Sequence, residues 1–180
     1  MDSYLNYKLK VPRGGTEPAS QLWAVGGGKG GVGKSFVSSA IAIFLANMGY
    51  KTLLVDLDIG ASNLHTYVGE GLSLKNGLDQ FLNSPDSDIS TLISPTKIPN
   101  LHLICGDSDS IGVANINSAQ KSRLMSAIFN TEADHVILDL SAGTHDTTLD
   151  FFLMAQKQIV TMTPDPSSIE NAYRFMKSAF

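Results

Sequence analysis

The segment Gly26-Gly27-Gly28-Lys29-Gly30-Gly31-Val32-Gly33-Lys34-Ser35 contains the spacing G-x-x-x-x-G-K-S from Gly28 to Ser35. Glycines let a backbone wrap closely around anionic oxygens, successive N–H groups make a concave nest, and a following helix N-terminus adds partial positive charge. Gly28, Lys29, Gly30, Gly31, Val32, Gly33, Lys34 and Ser35 are therefore the candidate phosphate-binding residues. Lys34 would neutralise the outer phosphates, and the Ser35 hydroxyl is a hard oxygen donor suited to Mg2+. Lys29 is a second cation with no packing use in such a loop. It reads either as a solvated surface lysine or as a charge aimed at phosphate, including phosphate across a dimer interface.

Two further apolar runs end in carboxylates. Leu53-Leu54-Val55-Asp56-Leu57-Asp58 places two aspartates two residues apart, on one face of a strand. Like charges that close are tolerated best where a metal ion or a phosphate-bound water needs them, the alternative being two solvated loop side chains. Val136-Ile137-Leu138-Asp139 repeats the pattern, with Gly143 shortly after. Asp139 is positioned to hold Mg2+ through water, and Gly143 to offer its N–H to a terminal phosphate. His145 has no identified partner and is read as solvated.

The elements that must carry these groups are legible as an alternation. Nearly continuous apolar runs predict strands at Leu22–Val25, Thr52–Val55, Leu101–Ile104, His135–Leu140 and Gln158–Met162. Helices are predicted over Ser35–Met48, Leu74–Leu82, Ser118–Phe129, about Thr147–Ala155 and Ser167–Phe180. The first should bury Val37, Ala40, Ile41, Phe44, Leu45 and Met48, and the third Leu124, Met125, Ile128 and Phe129. The last opens on a capping box from Ser167 to Glu170 and should pack Ile169, Ala172, Tyr173 and Met176 into the core rather than onto a membrane. The expected fold is α/β, an open and mostly parallel sheet with helices on both faces, in which ligands bind at the carboxyl ends of the strands.

The chain has 180 residues, 43% of them apolar, which suits one domain with a full core. Residues 1–21 read as a flexible leader and residues 22–180 as the nucleotide-binding domain. Thirteen basic against 17 acidic side chains, for a net charge of −4, give no broad footprint for nucleic acid. Cys105 is the only cysteine, which excludes an internal disulfide or a cysteine-rich cluster within these residues and is expected to be buried. Neither a signal peptide nor a membrane-spanning run is present in these residues, and a reducing, cytoplasmic setting fits best.

Lys29-Gly30-Gly31-Val32-Gly33-Lys34-Ser35 resembles the deviant Walker A motif of the MinD/ParA family of P-loop ATPases, of the SIMIBI type. The stretch Gly60 to His65 and Thr163-Pro164-Asp165-Pro166-Ser167-Ser168 look most like the FlhG/FleN branch of flagellar-number regulators. The resemblance implies ATP and Mg2+ as ligands, with Ser35, Asp56 and Asp139 on the metal side. It also implies Asp58 positioning the attacking water, Asn63 sensing the γ-phosphate and Lys29 reaching the nucleotide of a second subunit. Many family members have proline where this chain has Ser141. The resemblance runs from about Leu22 to Phe180, and family members continue further, so the chain reads as C-terminally truncated, with any membrane contact lying in a region beyond it.

The expected activity is an ATP-driven dimerisation switch with a protein partner. A DNA-partitioning ATPase, an ATP-dependent synthetase on the same scaffold, and a nucleotide-binding protein without turnover are the alternatives. Salt-sensitive DNA binding, a small molecule that stimulates turnover, and binding without hydrolysis would respectively mark them.

Overall fold

The computed structural model describes residues 20–58, 64–69, 78–106 and 116–180. Six strands form one sheet in the order β3-β4-β2-β5-β1-β6. They are β1 (Gln21–Gly26), β2 (Thr52–Leu57), β3 (Ser94–Pro95), β4 (Leu101–Ile104), β5 (His135–Leu140) and β6 (Lys157–Val160). All neighbouring pairs are parallel except β3, which runs antiparallel to β4. The helices are α1 (Lys34–Asn47), α2 (Leu64–Tyr67), α3 (Leu78–Asn83), α4 (Ser118–Phe129), α5 (Asp146–Met154) and α6 (Pro166–Ala179).

The expected α/β architecture with helices on both faces is what the chain forms. Strand parity explains how continuous apolar runs serve two cores. Leu53, Val55 and Leu57 of β2, with Val136, Leu138 and Leu140 of β5, pack on the side holding α3, α4, α5 and α6. Leu54 and Ile137 point the other way, toward Ala42, Leu45 and Ala46 of α1 and Leu64 of α2. Asp56 and Asp139 share the parity of Leu54 and Ile137, so both carboxylates fall on the α1 side. Cys105 is buried in that same core and unpaired, and burial followed by the Asp56 charge pushes its thiol up to about 12.

Some expectations are corrected. The face of α1 toward the sheet is Ser38, Ser39, Ala42, Leu45 and Ala46, whereas Phe44 is 64% and Met48 57% exposed. A helix held close to a sheet admits small residues at the contact, and hydrophobicity alone does not report that. The two serines bury at little cost because Ser38 donates to the Lys34 carbonyl at 3.1 Å and Ser39 to that of Ser35 at 2.6 Å.

The cap of α6 is also corrected. Asp165, not Ser167, caps the helix: its carboxylate accepts the Ser168 N–H at 2.9 Å, and Pro166 occupies the first turn. The buried face of the helix is Ser168, Ala172 and Phe175, with Phe175 edge-on to Phe152 at 4.9 Å, whereas Ile169, Tyr173 and Met176 are exposed, so of the expected stripe only Ala172 is buried. Glu170 pairs instead with Arg174 one turn on.

Helix α4 buries Leu124, Met125 and Ile128 as expected and opens on a reciprocal Asn117/Gln120 capping box. Ser20 and Gln21, read as part of the leader, lie in the sheet domain, with Ser20 buried and donating to the Thr131 carbonyl at 3.0 Å. Residues 1–19, Asn63, and the start of the second expected helix at Leu74 lie outside the described residues. The two-residue β3 and the short α2 carried no periodic signal.

Candidate nucleotide and metal site

Gly26 ends β1 and Lys34 begins α1, so the glycine loop spans the carboxyl edge of the sheet. Gly33 stands at the helix N-cap with φ 88° and no side chain to cap with, which leaves the first-turn N–H groups of α1 for an anion. The space beside Gly30, Gly31 and Gly33 is open. The root of the loop is tightly held: the Gly26 carbonyl accepts the Thr161 N–H at 3.0 Å and the Gly27 carbonyl accepts the Gly143 N–H at 3.1 Å. A methyl group on Gly28 would stand 2.1 Å from the Asn171 carbonyl oxygen of α6. The mouth of the loop is therefore open while its base is wedged against α6.

Lys34 is 6% exposed, and its charge acts on Asp58. Asp56 and Asp139 are each 1% exposed and are register partners on β2 and β5. Asp56 accepts the Asp58 N–H at 3.0 Å, which turns the chain as it leaves β2. Asp58 is half-buried; burial raises its pKa and the Lys34 charge pulls it partly back.

Both carboxylate oxygens of Asp139 are buried without a hydrogen-bond partner. Burial pushes its pKa up to about 6; the nearby hydroxyls of Ser35 and Ser38, which make no hydrogen bond to it in this geometry, offset that only in part, and the charges of Asp56 and Asp58 add to the rise. A buried carboxyl with no donor is costly unless something else fills its acceptors. Among the described residues no three His, Cys, Asp or Glu side chains converge into a cage that could hold an ion directly. This arrangement fits Mg2+ that takes its oxygens from Ser35, phosphate and water, with Asp139 and Asp56 accepting from the water shell. The residues present fit the group.

The structure thus gathers Gly28 to Ser35, Asp56, Asp58, Asp139 and Gly143 at one sheet edge. Two of them differ in their immediate surroundings from expectation. The Gly143 N–H is already donated to Gly27, so serving a γ-phosphate requires that bond to break. The Lys29 ammonium donates to Ser167 Oγ at 2.8 Å and to Asp165 Oδ1 at 3.3 Å, and so is not free in solvent. Ser141 bonds the Thr148 hydroxyl at 2.9 Å, tying the exit of β5 to α5. Sequence reasoning missed Asp165, Ser167 and Asn171 as neighbours of the loop. The Asp-Pro pair at 165 and 166 was the available signal, since proline favours the first helical position and marks the preceding residue as the cap.

The CobQ/CobB/MinD/ParA nucleotide binding domain matches residues 23–162. The chain belongs to this family. It is 29% identical to the antiactivator FleN of Pseudomonas aeruginosa over 161 residues, covering 87% of this chain and 55% of FleN. It is 30% identical to the flagellum site-determining protein YlxH of Helicobacter pylori, covering 98% of this chain and 60% of YlxH. The chain therefore spans between 55% and 60% of the length of these two curated relatives. Among solved structures, the septum site-determining protein MinD from Pyrococcus horikoshii, complexed with Mg-ADP, superposes with a TM-score of 0.76 at 22% identity, over 88% of this chain and 64% of that one. The described residues contain no helix long and apolar enough to cross a membrane.

Proposed function

We propose that this chain is the nucleotide-binding part of a Mg2+-dependent ATPase of the MinD/ParA type, acting as an ATP-driven dimerisation switch in the regulation of flagellar number or cellular positioning. The observation that carries the reading is the pair of donor-less Asp139 oxygens, buried beside a glycine loop whose mouth is open. Such a carboxylate is explained by a hydrated cation at the phosphates. The likeness to FleN and YlxH supports the choice of cellular role.

In this reading Gly28 to Gly33 and the first turn of α1 bind the phosphates of ATP, and Lys34 neutralises the charge that grows on them. Ser35 would offer its hydroxyl to Mg2+, which when bound would supply further charge neutralisation at the phosphates. Asp139 and Asp56 orient the surrounding waters. Asp58 accepts a hydrogen bond from the attacking water and aligns it with the γ-phosphorus, and Asn63 and Gly143 contact the γ-phosphate. Lys29 approaches the nucleotide bound by a second copy. Catalysis is positioning and charge neutralisation, with no covalent intermediate. A protein partner would engage the ATP-bound dimer.

The test is solution mass with and without Mg-ATP, together with phosphate release, for wild type, Lys34→Ala and Asp58→Ala. The reading expects ATP-dependent dimers in wild type, more of them in Asp58→Ala, and neither dimers nor turnover in Lys34→Ala. Unchanged ATP binding in Lys34→Ala would overturn it.

A further inference from the structure

The contact that the proposed function leaves unused is the one made by Lys29. Its ammonium is held on the N-terminus of α6 by Asp165 and Ser167, and about 40% of each side chain in the ion pair is exposed. Asp165 is the hub of that corner. It accepts from the Thr163 hydroxyl at 2.5 Å, the Ser167 hydroxyl at 2.7 Å and the Ser168 N–H at 2.9 Å, as well as from Lys29. These donors, Thr163 first, hold its carboxyl well below the usual carboxylate range, so it stays charged at any working pH. The same helix supports the base of the loop, since Gly28 abuts Asn171 and Gly26 lies against Phe175. Lys29 is thus anchored within its own subunit by a charge whose first task is capping a helix.

We propose that Asp165 is a positioning residue for Lys29, retaining the ammonium in its own subunit and competing with the phosphates of a second subunit's nucleotide. A lysine side chain bound at 3.3 Å to a carboxylate of its own chain cannot at the same time neutralise a phosphate across an interface. Dimerisation must therefore break the Lys29–Asp165 pair, and the pair sets a threshold that the incoming phosphate has to exceed. Because both partners are partly exposed, the threshold is small and falls with salt. This rests on the reading of Lys29 as the inter-subunit cation, and the experiment separates the two.

Asp165→Asn separates holding from capping, because asparagine caps a helix about as well as aspartate but lacks the charge. In nucleotide-free protein, pulse acetylation of lysine amines read by peptide mass, with the exposed Lys177 as internal reference, should show Lys29 reacting about two- to fivefold faster in Asp165→Asn than in wild type. Raising NaCl to about 0.5 M should accelerate wild type toward the variant and leave the variant unchanged. With Mg-ATP, the protein concentration at half-dimerisation should fall about two- to fivefold in Asp165→Asn and rise or become unmeasurable in Lys29→Ala. Equal Lys29 labelling in wild type and Asp165→Asn would overturn the retention of Lys29. Faster labelling with an unchanged or higher dimer midpoint would overturn the competition. Faster labelling with no dimer in any protein would overturn the dimerisation switch itself while leaving Asp165 as the residue that holds Lys29. Asp165→Ala, which loses the cap as well, should melt below Asp165→Asn, and equal melting of those two variants would show that capping plays no part at this position.

Discussion

Asp56 and Asp139 stand side by side in register on β2 and β5, both 1% exposed and both on the α1 face of the sheet. Two carboxylates so placed repel each other in a medium that solvates neither well. The sheet tolerates the pair because Asp56 accepts backbone N–H groups, from Asp58 at 3.0 Å and Leu64 at 3.5 Å, while Asp139 has been driven toward its protonated form. Charge is stored at the place where a hydrated cation would relieve it.

The first prediction concerns stability. Asp139 holds its proton to about pH 6 in the folded chain, against about 4 in an unfolded one. Between those values the folded state binds more protons, so stability falls as pH rises through that window. Asp139→Asn removes the penalty and should be more stable than wild type above pH 6 by about 1–3 kcal/mol in metal- and nucleotide-free buffer. Below pH 4 the advantage should vanish. Melting curves at pH 4, 5, 6 and 7.5 decide it, and an advantage independent of pH would contradict the titration of this group.

Asp58 is a half-buried carboxylate on which the Lys34 charge acts, and the proposed function assigns it the attacking water. Replacing it with alanine should lower the rate of ATP hydrolysis by about 10²–10⁴-fold while leaving ATP affinity within a few-fold. Single-turnover phosphate release and equilibrium binding of a fluorescent ATP analogue separate the two effects. A large loss of affinity with an unchanged rate would reassign Asp58 to binding.

Gly28→Ala tests the wedge between the loop and α6. The added methyl would meet the Asn171 carbonyl at 2.1 Å, a main-chain atom inside a helix that cannot rotate away. The variant should lose ATP affinity by about tenfold or more through displacement of the loop, and overall stability by about 1–3 kcal/mol. Titration calorimetry and urea unfolding measure both. Gly30→Ala, which meets open space, should leave stability within about 0.5 kcal/mol.

Phe175 is 0% exposed and stacks edge-on against Phe152 beneath Gly26. Phe175→Ala should cost about 3–5 kcal/mol. Tyr173→Ala, at 60% exposure on the same helix, should cost less than about 1 kcal/mol. Equal losses at the two positions would mean that α6 presents the other face to the core.

Much of the candidate site is legible in the sequence. The glycine loop and Asp56, Asp58 and Asp139 were placed from motif spacing and from strands ending in acid, because these signals are local: a strand, a loop and a helix in immediate succession. The helix faces were less legible. Hydrophobic periodicity points Phe44 and Met48 of α1 inward, yet the face toward the sheet is mostly small, with Ser38, Ser39, Ala42 and Ala46 beside Leu45, and the serines turn inward by satisfying their own backbone. In α6 two expectations differ from the structure independently: the cap is Asp165 and not Ser167, and the buried face is Ser168, Ala172 and Phe175, with Phe175 meeting Phe152, because tertiary packing and not periodicity alone selects among the apolar positions.

What the amino-acid order determined by itself was the fold class, the phosphate loop and the set of acidic residues at one sheet edge. Each is written in residues close together in the chain, where backbone geometry leaves little choice. Only the tertiary structure decided that Asp56 and Asp139 are neighbours, that Gly28 is wedged against Asn171, and that Lys29 is held by Asp165. Those pairs lie 83, 143 and 136 positions apart in the sequence. Their meeting depends on strand order, register and helix phase, which are properties of packing and not of any one segment.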